Sequence, residues 1–220
     1  MKNKWRRRVG IAVYITLLAS IIYSIIKIIT VSSVNTGMGS HVKSDYVLML
    51  LQCMLGLVVL GLPSLLEKKF SFEMPSAMSI AYFIFLYCAI YLGEIKQFYY
   101  IIPHWDSILH CFSGAMLGAF GFTLVTILND SKKVKVNLNP YFVCLFAFCF
   151  ALAVGGIWEI YEFMGDSLFG LNMQKYRLVD GSLLIGHEAL KDTMQDIIID
   201  TVGAFIMVVI GFFNIKTKKD

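Results

Sequence analysis

Residues 141–163 read YFVCLFAFCFALAVGGIWEIYEF. No charged residue occurs before Glu159, and the apolar run exceeds the roughly 18 residues that mark a membrane-spanning helix. Glu159 and Glu162 then appear near its end, spaced i,i+3 on one helical face. An ionisable side chain in the middle of a bilayer costs about 2.5–3.5 kcal/mol on insertion scales, so intramembrane acids point to a functional site. This stretch therefore sets both the class of the fold and the place to look for chemistry.

The same pattern extends outward along the chain. Before it lie Pro140, where a first helical turn tolerates proline, and a basic loop with Lys132, Lys133 and Lys135. After it come a polar segment, Gly165 to Lys191, and another apolar run carrying Asp192, Asp196 and Asp200 at i,i+4 spacing. Upstream, Asp106 and His110 repeat that spacing at the start of a further apolar run. The full reading is an all-α polytopic membrane bundle of about six helices, spanning approximately 9–31, 45–66, 76–102, 106–128, 140–163 and 192–213. Residues 1–220 form one integral membrane domain, with no room for a second, soluble one. The basic start MKNKWRRR followed by a long apolar run reads as an uncleaved first span, because a signal peptide has a shorter apolar core.

Composition agrees. The chain is 58% hydrophobic and 15% charged, against about 25% charged in soluble domains. Net charge is +4, but the basic residues gather in short loops and at the termini, which suits membrane orientation and argues against nucleic acid as a partner. With the N-terminus inside, inner segments hold thirteen lysines and arginines and outer ones hold four. Both termini are therefore expected in the cytoplasm. The five cysteines, Cys53, Cys88, Cys111, Cys144 and Cys149, lie in apolar runs without a CxxC pair and read as buried small residues.

That topology brings Asp106, His110, Glu159, Glu162, Asp196 and Asp200 to the outer half of the membrane on three successive helices. Acids so close in a low dielectric must be protonated or neutralised by a cation. Carboxylates with one imidazole suit Mg²⁺, Mn²⁺ or Zn²⁺, with all six residues as ligands. His110, Asp106 and Glu162 are the candidates for general acid–base roles. Lys96, Lys175 and Arg177 are candidate phosphate contacts. Simpler readings stand beside these. Asp106 caps a helix; Asp192 with Gln195 forms a capping box; Asp166 and Asp180 are loop residues; Glu94 pairs with Lys96. His41, His104 and His187 carry little information. Gly155, Gly156 and Gly203 allow close helix packing near the acids.

Three motifs in order resemble a known pattern: Asp106-x-x-x-His110-x-x-x-Gly114, Glu159-x-x-Glu162 and Asp196-x-x-x-Asp200-x-x-Gly203. Their order is similar to that of VanZ-like membrane proteins, which are associated with low-level teicoplanin resistance and have no established biochemical activity. Trp158-Glu159-x-x-Glu162-x-x-x-Asp166 more closely resembles the YjdF-like family of uncharacterised bacterial inner-membrane proteins. The likeness covers roughly residues 75–213. Where VanZ-like proteins usually carry Gln and Asn, this chain has Glu162 and Asp200, and the added charge favours a cation. The expectation is a multi-pass protein of the bacterial inner membrane, whose site binds a divalent ion and handles an anionic envelope lipid or isoprenoid phosphate. Two alternatives stay open: a proton- or cation-coupled transporter, and an accessory subunit whose buried acids fix helix register.

Overall fold

A computed structural model describes residues 2–31, 43–129, 138–178 and 181–217, with side chains except at 2–3, 126–129 and 216–217. The expected loop with His41, the basic loop of Lys132, Lys133 and Lys135, Asp180 and the tail from residue 218 lie outside the described residues. The described chain is helical: α1 Lys2–Thr30, α2 Lys43–Leu60, α3 Leu62–Phe70, α4 Ser76–Leu86, a π-helical stretch Tyr87–Ile95, α5 Phe98–Ile101, α6 Trp105–Asn129, α7 Pro140–Phe169 and α8 His187–Thr217. Six segments are long and apolar enough to cross a membrane, and the chain is an all-α polytopic membrane protein.

Several boundaries differ from the sequence reading for local reasons. The second span is interrupted at Gly61, where Pro63 opens the first turn of α3, a position at which the missing N–H is not needed. The third span, expected to run to Ile102, stops at Lys96; Gln97 takes a left-handed conformation (φ 62°). Gly93 makes this fold-back feasible, because a Cβ there would lie 2.4 Å from the Tyr99 ring. Helix α7 continues past Phe163 to Phe169, and α8 begins at His187 rather than at Asp192. Asp192 therefore sits inside the helix and does not open it with a capping box.

The chain divides into two compact units: Met1–Trp105 with Asp166–Asn172 and Arg177–Leu184, and Asp106–Gly165 with Met173–Tyr176 and Ile185–Asp220. The first is held by apolar interdigitation of α1, α2, α4 and the π-helical stretch, through Val13, Leu17, Cys53, Phe83, Leu86 and Ile90. Arg6 grips Glu67 with two bonds of 2.7 Å, and Glu67 also accepts from the Met74 N–H at 2.9 Å. This bidentate geometry is the strong form of an ion pair.

The second unit packs backbone against backbone. A Cβ at Gly203 would lie 2.1 Å from the Cys111 carbonyl oxygen, one at Gly114 2.3 Å from that of Asp200, and one at Gly121 2.7 Å from Cα of Ala147. Small residues are what membrane helices use to approach this closely. Tyr141 stacks near Phe212, Cys144 faces the Val208 carbonyl, and Phe148 meets Phe205. These contacts set α7 antiparallel to α8. Continued along both helices, that register brings Glu159 level with Thr193 and Met194, in the turn between Asp192 and Asp196.

Candidate metal centre

The polar residues of the second unit converge on His110. Its Nδ1 lies 3.2 Å from Asp200 Oδ2. Its Nε2 faces Asp106 Oδ1 at 3.7 Å and Asp196 Oδ2 at 3.6 Å. The second pair of distances is too long for hydrogen bonds, but suits ligands arranged around a common ion. One donor atom from each of Asp106, His110 and Asp196 lies within 4.8 Å of the others. Exposure is 7% for His110, 3% for Asp196 and 4% for Asp200, while Asp106 is half-buried at the edge of the group.

Asp200 has a different role from the other two aspartates. It holds the far side of the imidazole, and its Oδ1 accepts from the Ser113 hydroxyl at 2.8 Å. Ser113 also donates to the His110 carbonyl at 2.9 Å. With a proton on Nδ1, His110 points the Nε2 lone pair into the gap between Asp106 and Asp196. A histidine ligand is commonly oriented this way, by a carboxylate that is itself hydrogen-bonded. Gly155 makes room for Asp200; a Cβ there would lie 2.8 Å from Asp200 Oδ2.

Glu159 is 5% exposed, and neither carboxylate oxygen has a hydrogen-bond partner among the described residues. Thr193, whose hydroxyl accepts from Gln174 Nε2 at 2.7 Å, faces Glu159 without reaching hydrogen-bond geometry. An unpaired buried carboxylate is costly. It is compensated by taking a proton or by meeting a cation. Glu162 lies farther out, half-buried, accepting from Trp158 Nε1 at 2.9 Å. Neither Glu159 nor Glu162 is part of the three-residue group on which donor atoms converge.

The three candidate phosphate contacts fall in different units, Lys175 in the second and Lys96 and Arg177 in the first. Lys175 is placed among the acids, donating to Asp106 Oδ2 and to Asp192 Oδ1, the latter at 3.0 Å. Burial works against its ammonium, but Asp106 and Asp192 outweigh that and hold it well above the usual lysine range. Lys175 is therefore a cation at any working pH. Arg177 belongs to the other unit, where its Nη2 donates to the Gly170 and Leu171 carbonyls and Asn172 brackets its backbone. Lys96, in that same unit, lies 5.6 Å over the Tyr91 ring. Asp166, grouped by spacing with Glu159 and Glu162, is buried in that unit too.

Sequence reasoning missed Ser113, Asp192 as a lysine partner, and the pairing of Gln195 with Ser107 at 3.3 Å. Ser113 was findable, lying one turn from His110. No spacing rule reaches from Lys175 to Asp106.

A helical bundle with a buried His/Asp centre defines the class: a multi-pass membrane protein with a polar site inside its helices. The chain belongs to the family described as predicted membrane protein (DUF2238), whose pattern matches residues 11–217. An uncharacterised protein from Thermotoga maritima is 28% identical over 148 residues, covering 66% of this chain and 67% of the relative. No solved structure matches it.

Proposed function

We propose that the protein binds a divalent cation between Asp106, His110 and Asp196, and through it the phosphate of an anionic lipid or isoprenoid carrier. The single observation that carries the reading is the convergence of three donor atoms from two helices within 4.8 Å. The unpartnered carboxylate of Glu159 supplies a further ligand or a base beside them. Imidazole with carboxylates suits Mg²⁺, Mn²⁺ or Zn²⁺. Such an ion polarises a phosphoryl oxygen or lowers the pKa of bound water. Glu162, half-buried and accepting from Trp158, is our candidate for proton transfer.

The basic bias of the loops supports cytoplasmic termini, which puts the centre in the outer leaflet of a bacterial inner membrane. Membrane lipids are its natural surroundings there. The finer kinship we favour is YjdF-like, which the family match over residues 11–217 supports; the comparisons give no support to a likeness to VanZ-like proteins. A proton path is the competing use of the same groups, favoured by carboxylates on both sides of the His110 ring.

The test is thermal stability of the detergent-purified protein with a long-chain isoprenyl phosphate, with and without Mn²⁺. The cation reading expects stabilisation by lipid only when Mn²⁺ is present, and its loss in His110→Ala. Stabilisation by lipid without metal, or none in any condition, counts against it. Proton uptake into proteoliposomes that is lost in Asp196→Asn would promote the proton path.

A further inference from the structure

The geometry points to Lys175 as a built-in competitor of the ion: ammonium and divalent cation exclude one another at Asp106, and ion binding frees Lys175 to meet the anion that follows. This rests on the cation reading above and extends it to how the site is regulated and loaded.

Three observations carry it. First, Asp106 is shared. Its Oδ1 faces His110 Nε2 at 3.7 Å, on the side where the donor atoms converge, while its Oδ2 accepts from Lys175. A divalent ion drawn into the gap competes with the ammonium for the same carboxylate. Two cations on one half-buried carboxylate repel strongly where the dielectric is low.

Second, the lysine comes from the segment between α7 and α8 and not from a helix. Its backbone is left-handed (φ 48°), a conformation that is unfavourable for a non-glycine residue and is held only by its surroundings. Part of what holds it is the pair of bonds to Asp106 and Asp192. A residue held this way can leave without unwinding a helix.

Third, charge balance argues for exchange. With Lys175 in place the cluster already holds one cation, yet Glu159 stays buried without a hydrogen-bond partner. Lysine gives its hydrogen bonds to Asp106 and Asp192 and none to Glu159. A divalent ion near His110 serves the side the lysine does not reach. Once displaced, the ammonium stands beside the ion, and a phosphate monoester suits such a pair because its two charges match two adjacent cations.

The experiment uses the full-length protein in detergent and Mn²⁺ as the probe. Mn²⁺ affinity is measured by electron paramagnetic resonance in wild type, Lys175→Met and Lys175→Arg. Reactivity of Lys175 toward an acetylating reagent is followed by mass spectrometry in wild type, with and without Mn²⁺. An occupied Asp106 lowers apparent affinity by the fraction of molecules in the ion-competent state, so Lys175→Met should bind Mn²⁺ about tenfold more tightly. Lys175→Arg should show no gain. Mn²⁺ should raise Lys175 acetylation severalfold. Equal or weaker Mn²⁺ binding in Lys175→Met, or Mn²⁺ binding that leaves Lys175 acetylation unchanged or lower, overturns the competitor and leaves the cation site standing. Absence of Mn²⁺ binding in all three proteins overturns the cation reading and this inference with it. The acetylation arm needs no variant, so poor folding of Lys175→Met does not stop the test.

Discussion

The two units of this protein differ in how closely their helices approach at glycine. In the first, glycines accept side chains: Gly10 lies under the Phe83 ring and Gly56 under the tips of Ile90 and Leu17. In the second, Gly114, Gly121 and Gly203 accept neighbouring backbone, while Gly155 and Gly211 accept the Asp200 and Phe122 side chains. Side-chain packing tolerates adjustment, because a methyl group can rotate away. Backbone contact does not, since a main-chain carbonyl moves only with its helix. The rigid arrangement is found between the helices that carry Asp106, His110, Asp196 and Asp200. The adaptable one surrounds an apolar core of Leu17, Cys53 and Phe83. Rigid packing is what a preorganised site requires.

The comparison breaks most visibly at the glycines. Gly203→Ala forces α6 and α8 apart, and overpacking of this kind costs about 1–3 kcal/mol, sometimes more. Gly56→Ala should cost under about 1 kcal/mol, because only the flexible tips of Ile90 and Leu17 must move. Gly156→Ala meets nothing within 4 Å and should be near neutral. Thermal unfolding midpoints in one detergent rank the three; equal midpoints for Gly203→Ala and Gly156→Ala would refute the contrast.

Asp200→Asn comes next. The amide preserves shape but weakens the hold on His110 and Ser113, and loss of such an orienting partner lowers metal affinity about 10–100-fold. Titration calorimetry with Mn²⁺ reads this directly, and unchanged affinity would remove Asp200 from its positioning role. Arg6→Gln tests the first unit alone. It leaves Glu67 with the Met74 N–H as its remaining partner among these bonds and should cost about 1–3 kcal/mol. Mn²⁺ affinity should not change, and a parallel loss would mean that the units are not separable in energy. The smallest expected effect is a gain: Glu159→Gln replaces an acid that must be neutralised when no ion is bound, and should raise metal-free stability by roughly 1 kcal/mol while weakening metal binding. A drop in metal-free stability would show that Glu159 is already satisfied.

Much of this was legible because the membrane simplifies the reading. Helices are obligatory when no water satisfies the backbone, so runs such as 141–163 leave little choice. The i,i+4 spacing of Asp106 with His110 and of Asp192, Asp196 and Asp200 set the polar faces before any coordinates. What was not legible depends on contacts between segments far apart in sequence. The π-helical stretch ending at Ile95 depends on Tyr99 finding Gly93. The start of α8 at His187 brings Asp192 inside the helix, where Lys175 reaches it. Lys175 and Arg177 look alike in the sequence, two residues apart. One ends among carboxylates and the other on the carbonyls that close α7, because successive residues of an irregular segment point in unrelated directions.

The most direct test of the central claim is the metal content of the detergent-purified protein, measured by plasma mass spectrometry after loading with Mn²⁺ or Zn²⁺ and removal of free ion. The account predicts about one ion per chain in wild type and a small residue of that in an Asp106→Asn/Asp196→Asn variant that still folds. Equal metal in both proteins, or none in wild type under any loading condition, would contradict it.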